Sequence, residues 1–134
     1  MNTISVTELH TEYLSKSSKI IDVRSSQEFD VRHIDGAINI PVAMAIAQPD
    51  DFKHDGPVYV ICQSGNRSAR VCNELAAKGL LHLVNVEGGM SAWITAQFAT
   101  VSPQSLNPLA ILRRGLEISV ILIIVLTILY LIVT

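Results

Sequence analysis

Residues 57–61 read "PVYVI" and are apolar at every position, so an extended chain here has no face suited to water. Such a segment fits the centre of a sheet covered by helices on both sides. Around it, short apolar runs alternate with amphipathic stretches, the pattern of parallel strands joined by crossover helices. The expected fold class is therefore α/β, an open parallel sheet flanked by helices on both faces. Strands are expected at Lys19 to Val23, Ala37 to Ile40, Pro57 to Cys62 and Leu83 to Val86, with a short one near Ile4. Helices are expected at Thr7 to Leu14, at Ser26 to Arg32, loosely after Pro41, at Ser68 to Lys78 and around Met90 to Ala96.

The apolar content is unevenly spread. Of 134 residues 49% are hydrophobic, and the run 118–133, "ISVILIIVLTILYLIV", carries no charge at all. The part before Phe98 has an ordinary soluble composition. Between the two, "TVSPQSLNPLAILRRG" holds Pro103 and Pro108 among Ser, Asn and Gln and reads as an exposed linker. The expected organisation is one domain at 1–99, a linker at 100–115 and a transmembrane helix at 116–133. A bilayer core of roughly 30 Å takes about 20 apolar residues, so the run sits near the short end of spanning segments. The rival reading is a buried core or partner-binding helix, but a helix apolar all round has no obvious place in a domain already complete before the linker. Arg113 and Arg114 precede the run and no charge follows it, which places the amino-terminal domain on the cytoplasmic side. The opening "MNTISVTELHTEYL" lacks the basic-then-apolar pattern of a secretory signal. The domain is thus expected in a reducing cytosol, where free thiols persist.

The 10 Lys and Arg against 12 Asp and Glu suggest no basic face, and a nucleic-acid partner is not expected. Two cysteines are too few for a disulfide scaffold. The histidines at 10, 33, 54 and 82 show no ligand spacing with each other or with either cysteine, so no metal is expected.

Cys62 ends the apolar strand and is followed by "QSGNRS", residues 63–68, before a helical pattern begins. In an open α/β sheet the carboxyl end of a central strand is where ligands bind. A loop between a strand tip and a helix start turns backbone N–H groups inward, and such a cradle binds anions and lowers a thiol pKa. Gly65 can take positive φ, Ser68 stands near the helix start, and Arg67 closes the loop with a fixed positive charge. The bland alternative is a buried strand cysteine beside a solvated arginine, since free cysteine is among the most buried residue types. The glycine-containing loop and the helix start favour a nucleophile, which should titrate below the ordinary thiol value of about 8.5. Cys72 falls with Val71, Leu75 and Ala76 on one helical face ending near Gly79, and reads as a buried inert thiol.

Three motifs then resemble one family in order and spacing. "IIDVRSSQEFDVRHIDGAINIP" resembles the amino-terminal signature of rhodanese-homology domains, "CQSGNRS" their active loop and "VEGGMSAW" their carboxy-terminal signature. The match covers nearly all of residues 1–99, and Arg32 stands where the family usually has glycine. Each signature also has a local reading. Asp22 and Arg24 can hold loop backbone or pair with each other, Gly36 and Pro41 bracket a strand, Gly88 and Gly89 permit a sharp strand-to-helix turn, and Trp93 covers the core.

The resemblance implies a rhodanese-like sheet and a ping-pong sulfur transfer without a cofactor. In that scheme Cys62 is the catalytic residue, carrying sulfur as a persulfide from a small anionic donor such as thiosulfate to a thiophilic acceptor. Gln63, Ser64, Gly65, Asn66, Arg67 and Ser68 would bind the substrate, their amides cradling the terminal sulfur and Arg67 orienting the anion. Gln63 occupies a position where some thiosulfate-using relatives carry a basic residue. Some membrane-associated relatives carry a pair of hydrophobic helices, so 116–133 is expected to meet the bilayer singly or as half of a hairpin. One alternative is a cysteine-based phosphatase or arsenate reductase on the same fold. The related phosphatases have five residues between Cys and Arg, whereas four intervene here, which fits a single sulfur better. A noncatalytic docking module at the membrane is the other, and the presence of Cys62 argues against it.

Overall fold

In the computed structural model, which describes residues 1–15 and 19–102, strand and helix alternate along the chain. The order is β1 (Asn2–Ile4), α1 (Val6–Ser15), β2 (Lys19–Asp22), α2 (Ser26–Val31), β3 (Ile38–Asn39), α3 (Val42–Ala47), β4 (Val58–Ile61), α4 (Asn66–Ala76), β5 (Leu83–Val86) and α5 (Gly89–Thr95). The strands form one sheet in the order β1-β5-β4-β2-β3, and every pairing is parallel. The wholly apolar strand is the central one: Val60 pairs with Ile21 on one side and Asn85 on the other.

Two cores explain why β4 has no polar face. Val58, Val60 and Cys62 pack with Ala45, Val71, Cys72 and Leu75 under α3 and α4. Tyr59 and Ile61 point the other way, to Leu9, Met90 and Trp93 under α1 and α5. Alternation along one strand therefore feeds both layers, as a doubly covered parallel strand requires. Trp93 is buried and its indole N–H donates to the Ala99 carbonyl over 3.0 Å, so the largest core side chain leaves no polar group unmet.

Helix starts follow local chemistry. Ser25 and Glu28 form a capping box at α2: the Glu28 N–H donates to Ser25 Oγ, and Glu28 Oε2 accepts from the Ser25 N–H at 3.0 Å. Helix α4 begins at Asn66, two residues before the expected Ser68, because Gly65 takes the left-handed conformation at φ 92° and already turns the chain. Ser68 consequently lies inside the first turn and not at the cap. Strand β3 is only Ile38–Asn39, and a 3-10 turn at Pro49–Phe52, absent from the sequence reading, buries Phe52.

Met1–Val101 forms one compact unit, which holds all of these elements. Among the described residues no helix is long and apolar enough to cross a membrane. The transmembrane helix expected at 116–133, and all but the first residues of the linker expected at 100–115, lie outside the described residues.

Candidate active site

Cys62 follows the last residue of β4 and is fully buried. The Gly65 N–H donates to its Sγ over 3.1 Å, and Ser68 Oγ lies 3.3 Å from the same sulfur. Burial alone pushes the thiol up, but it is outweighed by hydrogen bonds from the Ser68 hydroxyl and from the backbone N–H groups of Ser68, Ser64 and Gly65. The net effect holds the Cys62 thiol below its ordinary value, the result expected when donors converge on a thiolate at a helix start.

The loop keeps this shape because α5 is pressed against its backbone. The Met90 N–H donates to the Cys62 carbonyl at 2.8 Å and the Ser91 N–H to the Gln63 carbonyl at 3.0 Å. A Cβ on Gly89 would lie 2.3 Å from the Cys62 oxygen and 2.8 Å from the Gln63 carbonyl carbon, so only glycine permits the approach. The carbonyls of Cys62 and Gln63 are thus consumed by α5 while the N–H groups of Ser64, Gly65 and Ser68 turn towards the sulfur.

The candidate residues divide into two sets. Cys62, Ser64, Gly65 and Ser68 converge on the sulfur. Gln63 turns aside: its Nε2 donates to Ser91 Oγ at 2.9 Å and its Oε1 accepts from Arg24 Nη1 at 3.4 Å. Asn66 is exposed. Arg67 is held by Glu28 through two bonds of 2.8 and 2.7 Å, a bidentate pair half open to solvent. Its guanidinium keeps the Glu28 carboxyl down at about 2. Glu28 therefore does two things at once, capping α2 and tethering the arginine that closes the loop. Its capping role is visible as the Ser-x-x-Glu spacing; its partner 39 residues away is not.

Asp22 and Arg24 pair with each other in the interior. Arg24 Nε and Nη2 hold the Asp22 carboxylate at 2.6 to 3.0 Å, and Nη2 also donates to the Arg32 carbonyl at 2.8 Å. Both side chains are almost fully buried, so removing one partner costs about 3–5 kcal/mol by stranding the other charge. Asn39 braces the same corner by donating to the Asp22 and Arg24 carbonyls at 3.0 and 2.9 Å. Beside this brace lies a pocket of about 250 Å³ lined by Arg24, Glu28, Val31, Arg32, Gln63 and Ile94.

Asn85 was not among the expected site residues. It is a buried polar residue in the otherwise apolar β5, 2.6 Å from Ser68 Oγ through its Oδ1. The signal available in the sequence is the single amide in "LVNV". Cys72 lies on α4 in the core, and burial pushes its thiol up to about 12. Among the described residues no three His, Cys, Asp or Glu side chains are grouped to hold a metal ion.

Residues 5–96 match a family model described as a rhodanese-like domain. The chain is 34% identical over 93 residues to the thiosulfate sulfurtransferase GlpE of Shewanella oneidensis, covering 67% of this chain and 89% of that protein. It is 34% identical over 103 residues to the mitochondrial protein HIGH ARSENIC CONTENT 1 of Arabidopsis thaliana, covering 68% of this chain and 61% of that one. The crystal structure of a rhodanese-related protein from Thermoplasma volcanium superposes with a TM-score of 0.69 at 31% identity, covering 75% of this chain and 98% of the other.

Proposed function

Because the chain belongs to the rhodanese-like domain family, we propose that it is a sulfurtransferase that carries sulfane sulfur on Cys62. The observation that carries the reading is the convergence of Gly65 N–H and Ser68 Oγ on a buried Sγ at the tip of the central strand. A thiolate so held forms more readily than an ordinary one and is aimed.

With thiosulfate as donor, the Cys62 thiolate attacks the sulfane sulfur, and the S–S bond of the donor breaks with its electron pair leaving on sulfite. The product is an anionic persulfide on Cys62. A thiophilic acceptor such as cyanide then takes the outer sulfur as thiocyanate and returns the thiolate, so neither oxidant nor reductant is consumed. The N–H groups of Ser64, Gly65 and Ser68 face the charge in both halves of the cycle and stabilise it without reorganising. Arg67 orients an anionic donor by sharing a guanidinium already engaged with Glu28. The pocket beside Gln63, with Arg24 and Arg32 on its wall, is the proposed entrance for that donor.

Mass spectrometry of the protein after exposure to thiosulfate tests this reading. A gain of one sulfur atom on Cys62, discharged by cyanide, is expected. Hydrolysis of phosphate esters or reduction of arsenate with no sulfur adduct would move the assignment to the other cysteine chemistries of the fold. We also propose that residues 116–133 anchor this domain to a bilayer with the domain on the cytoplasmic side, supported by the uncharged run and by Arg113 and Arg114 before it. Retention in the membrane fraction after carbonate washing is the expected result; release into the supernatant would overturn the anchor. Labelling of Cys62 from the outer side alone would overturn the orientation.

A further inference from the structure

The contacts of Ser68 leave one question about the proton that the loop itself does not answer. Ser68 Oγ lies 3.3 Å from Cys62 Sγ, 3.1 Å from the Gly65 carbonyl and 2.6 Å from Asn85 Oδ1. A serine hydroxyl has a single proton to donate. When Asn85 Oδ1, the nearest of these acceptors, takes that proton, the sulfur faces a lone pair. This arrangement suits a neutral thiol, whose S–H donates to Ser68 Oγ. It does not suit a thiolate or persulfide, which needs the hydroxyl to donate towards sulfur.

An amide resolves the conflict because its two ends differ. Turned over about its terminal bond, Asn85 presents Nδ2, donates to Ser68 Oγ and releases the hydroxyl proton to the sulfur. Among the described residues the Asn85 side chain bonds to Ser68, and turning the amide over keeps that contact. The three side chains are buried. They come from α4, β5 and the end of β4, so the chain of contacts is a tertiary feature held by the β4–β5 pairing. A polar residue in the middle of a buried parallel strand is costly unless its bonding is used.

We propose that Asn85 is a positioning residue for the Cys62 sulfur, its amide reversing the direction of the Asn85–Ser68–Cys62 hydrogen-bond chain when the thiol ionises. This rests on Cys62 being the sulfur carrier. On ionisation the thiol proton goes to bulk water, the amide turns, and Ser68 donates to the anion. When the persulfide forms, the charge stays at the same end of the chain and the reversed arrangement persists. Among the described residues, Arg67 and Cys72, both on α4, interact electrostatically with Cys62. Arg67 stays charged, and Cys72 stays neutral at physiological pH because burial pushes it up to about 12.

The test uses the wild-type chain, with nitrogen-15 spectra followed against pH alongside the rate of alkylation of Cys62. The side-chain amide of Asn85 is expected to titrate with the midpoint found by alkylation, its protons moving downfield as the thiolate appears. An Asn85 amide that stays fixed through that midpoint would overturn the proposal. Two variants give a second readout. Asn85→Asp, with acceptors at both ends, keeps the hydroxyl proton from the sulfur and is expected to raise the alkylation midpoint by about one pH unit. Asn85→Leu is expected to slow alkylation when Ser68 is present and to change nothing when it is combined with Ser68→Ala. Equal effects of Asn85→Leu in both backgrounds would also overturn the proposal, because Asn85 would then not act through Ser68. Sulfur loading on Cys62 of the wild type, measured by mass, reports separately on the sulfurtransferase reading.

Discussion

Cys62 and Cys72 are ten positions apart, one at the loop end of α4 and one within its core face, and both are buried. Their thiols are nevertheless displaced in opposite directions. Cys72 meets the apolar side chains of the sheet, and burial pushes it up to about 12. Burial also pushes Cys62 up, but the Ser68 hydroxyl and the N–H groups of Ser68, Ser64 and Gly65 outweigh it. Accessibility alone would rank the two cysteines as equals. What separates them is the supply of donors, which exists only where the backbone turns out of a strand and has not yet entered the hydrogen bonds of the helix.

The largest test of this contrast is on activity. Cys62→Ser is expected to abolish transfer from thiosulfate to cyanide with an unchanged circular dichroism spectrum, while Cys72→Ser keeps most of it. The opposite result would exchange the roles of the two sites. Gly89→Ala comes next, because its Cβ would meet the Cys62 carbonyl at 2.3 Å and push α5 off the loop. Activity should fall by orders of magnitude, and thermal melting would show how much of the loss is global. Retained activity would mean that α5 is not what holds the cradle.

A finer probe removes one donor. Ser68→Ala should raise the alkylation midpoint of Cys62 and slow its reaction at neutral pH by roughly tenfold, the worth of a hydrogen bond to a charged group. Cys72 should stay unreactive in the folded protein in either background. The smallest expected effect concerns the ion pair at the loop's far side. The folded Glu28 carboxyl sits at about 2, below the roughly 4.3 of an unfolded chain, so its contribution is present above that value and is lost as pH falls towards 2. Arg67→Ala should flatten the acid limb of a stability-versus-pH curve over that window, modestly because both partners are half exposed. An unchanged limb would show that the tether contributes nothing to stability.

Much of this was legible before any coordinates. The alternation of apolar runs, the glycines and the uninterrupted "PVYVI" placed the five strands and the parallel sheet, because each is a local pattern with a local cause. The same holds for Cys62 at a strand end and for Cys72 on a helical face. Arg67 was read as a fixed positive charge closing the loop, and its bidentate attachment to Glu28 was not visible because the two stand 39 residues apart and meet only in the folded chain. The start of α4 was placed two residues too late, because Gly65 takes the left-handed conformation and already turns the chain into the helix.

By itself, then, the sequence determined the order of elements and the central strand and singled out Cys62 as the candidate nucleophile, all of which rest on the periodicity and chemistry of neighbouring residues. Only the tertiary structure decided which side chains surround the sulfur. Asn85 reaches Ser68 because β5 pairs with β4, and α5 seals the loop because Gly89 lets its backbone come within bonding distance of the Cys62 carbonyl. The physical reason is range: periodicity acts over a few residues, whereas a hydrogen bond joins whatever the packing brings within about 3 Å, at any separation along the chain.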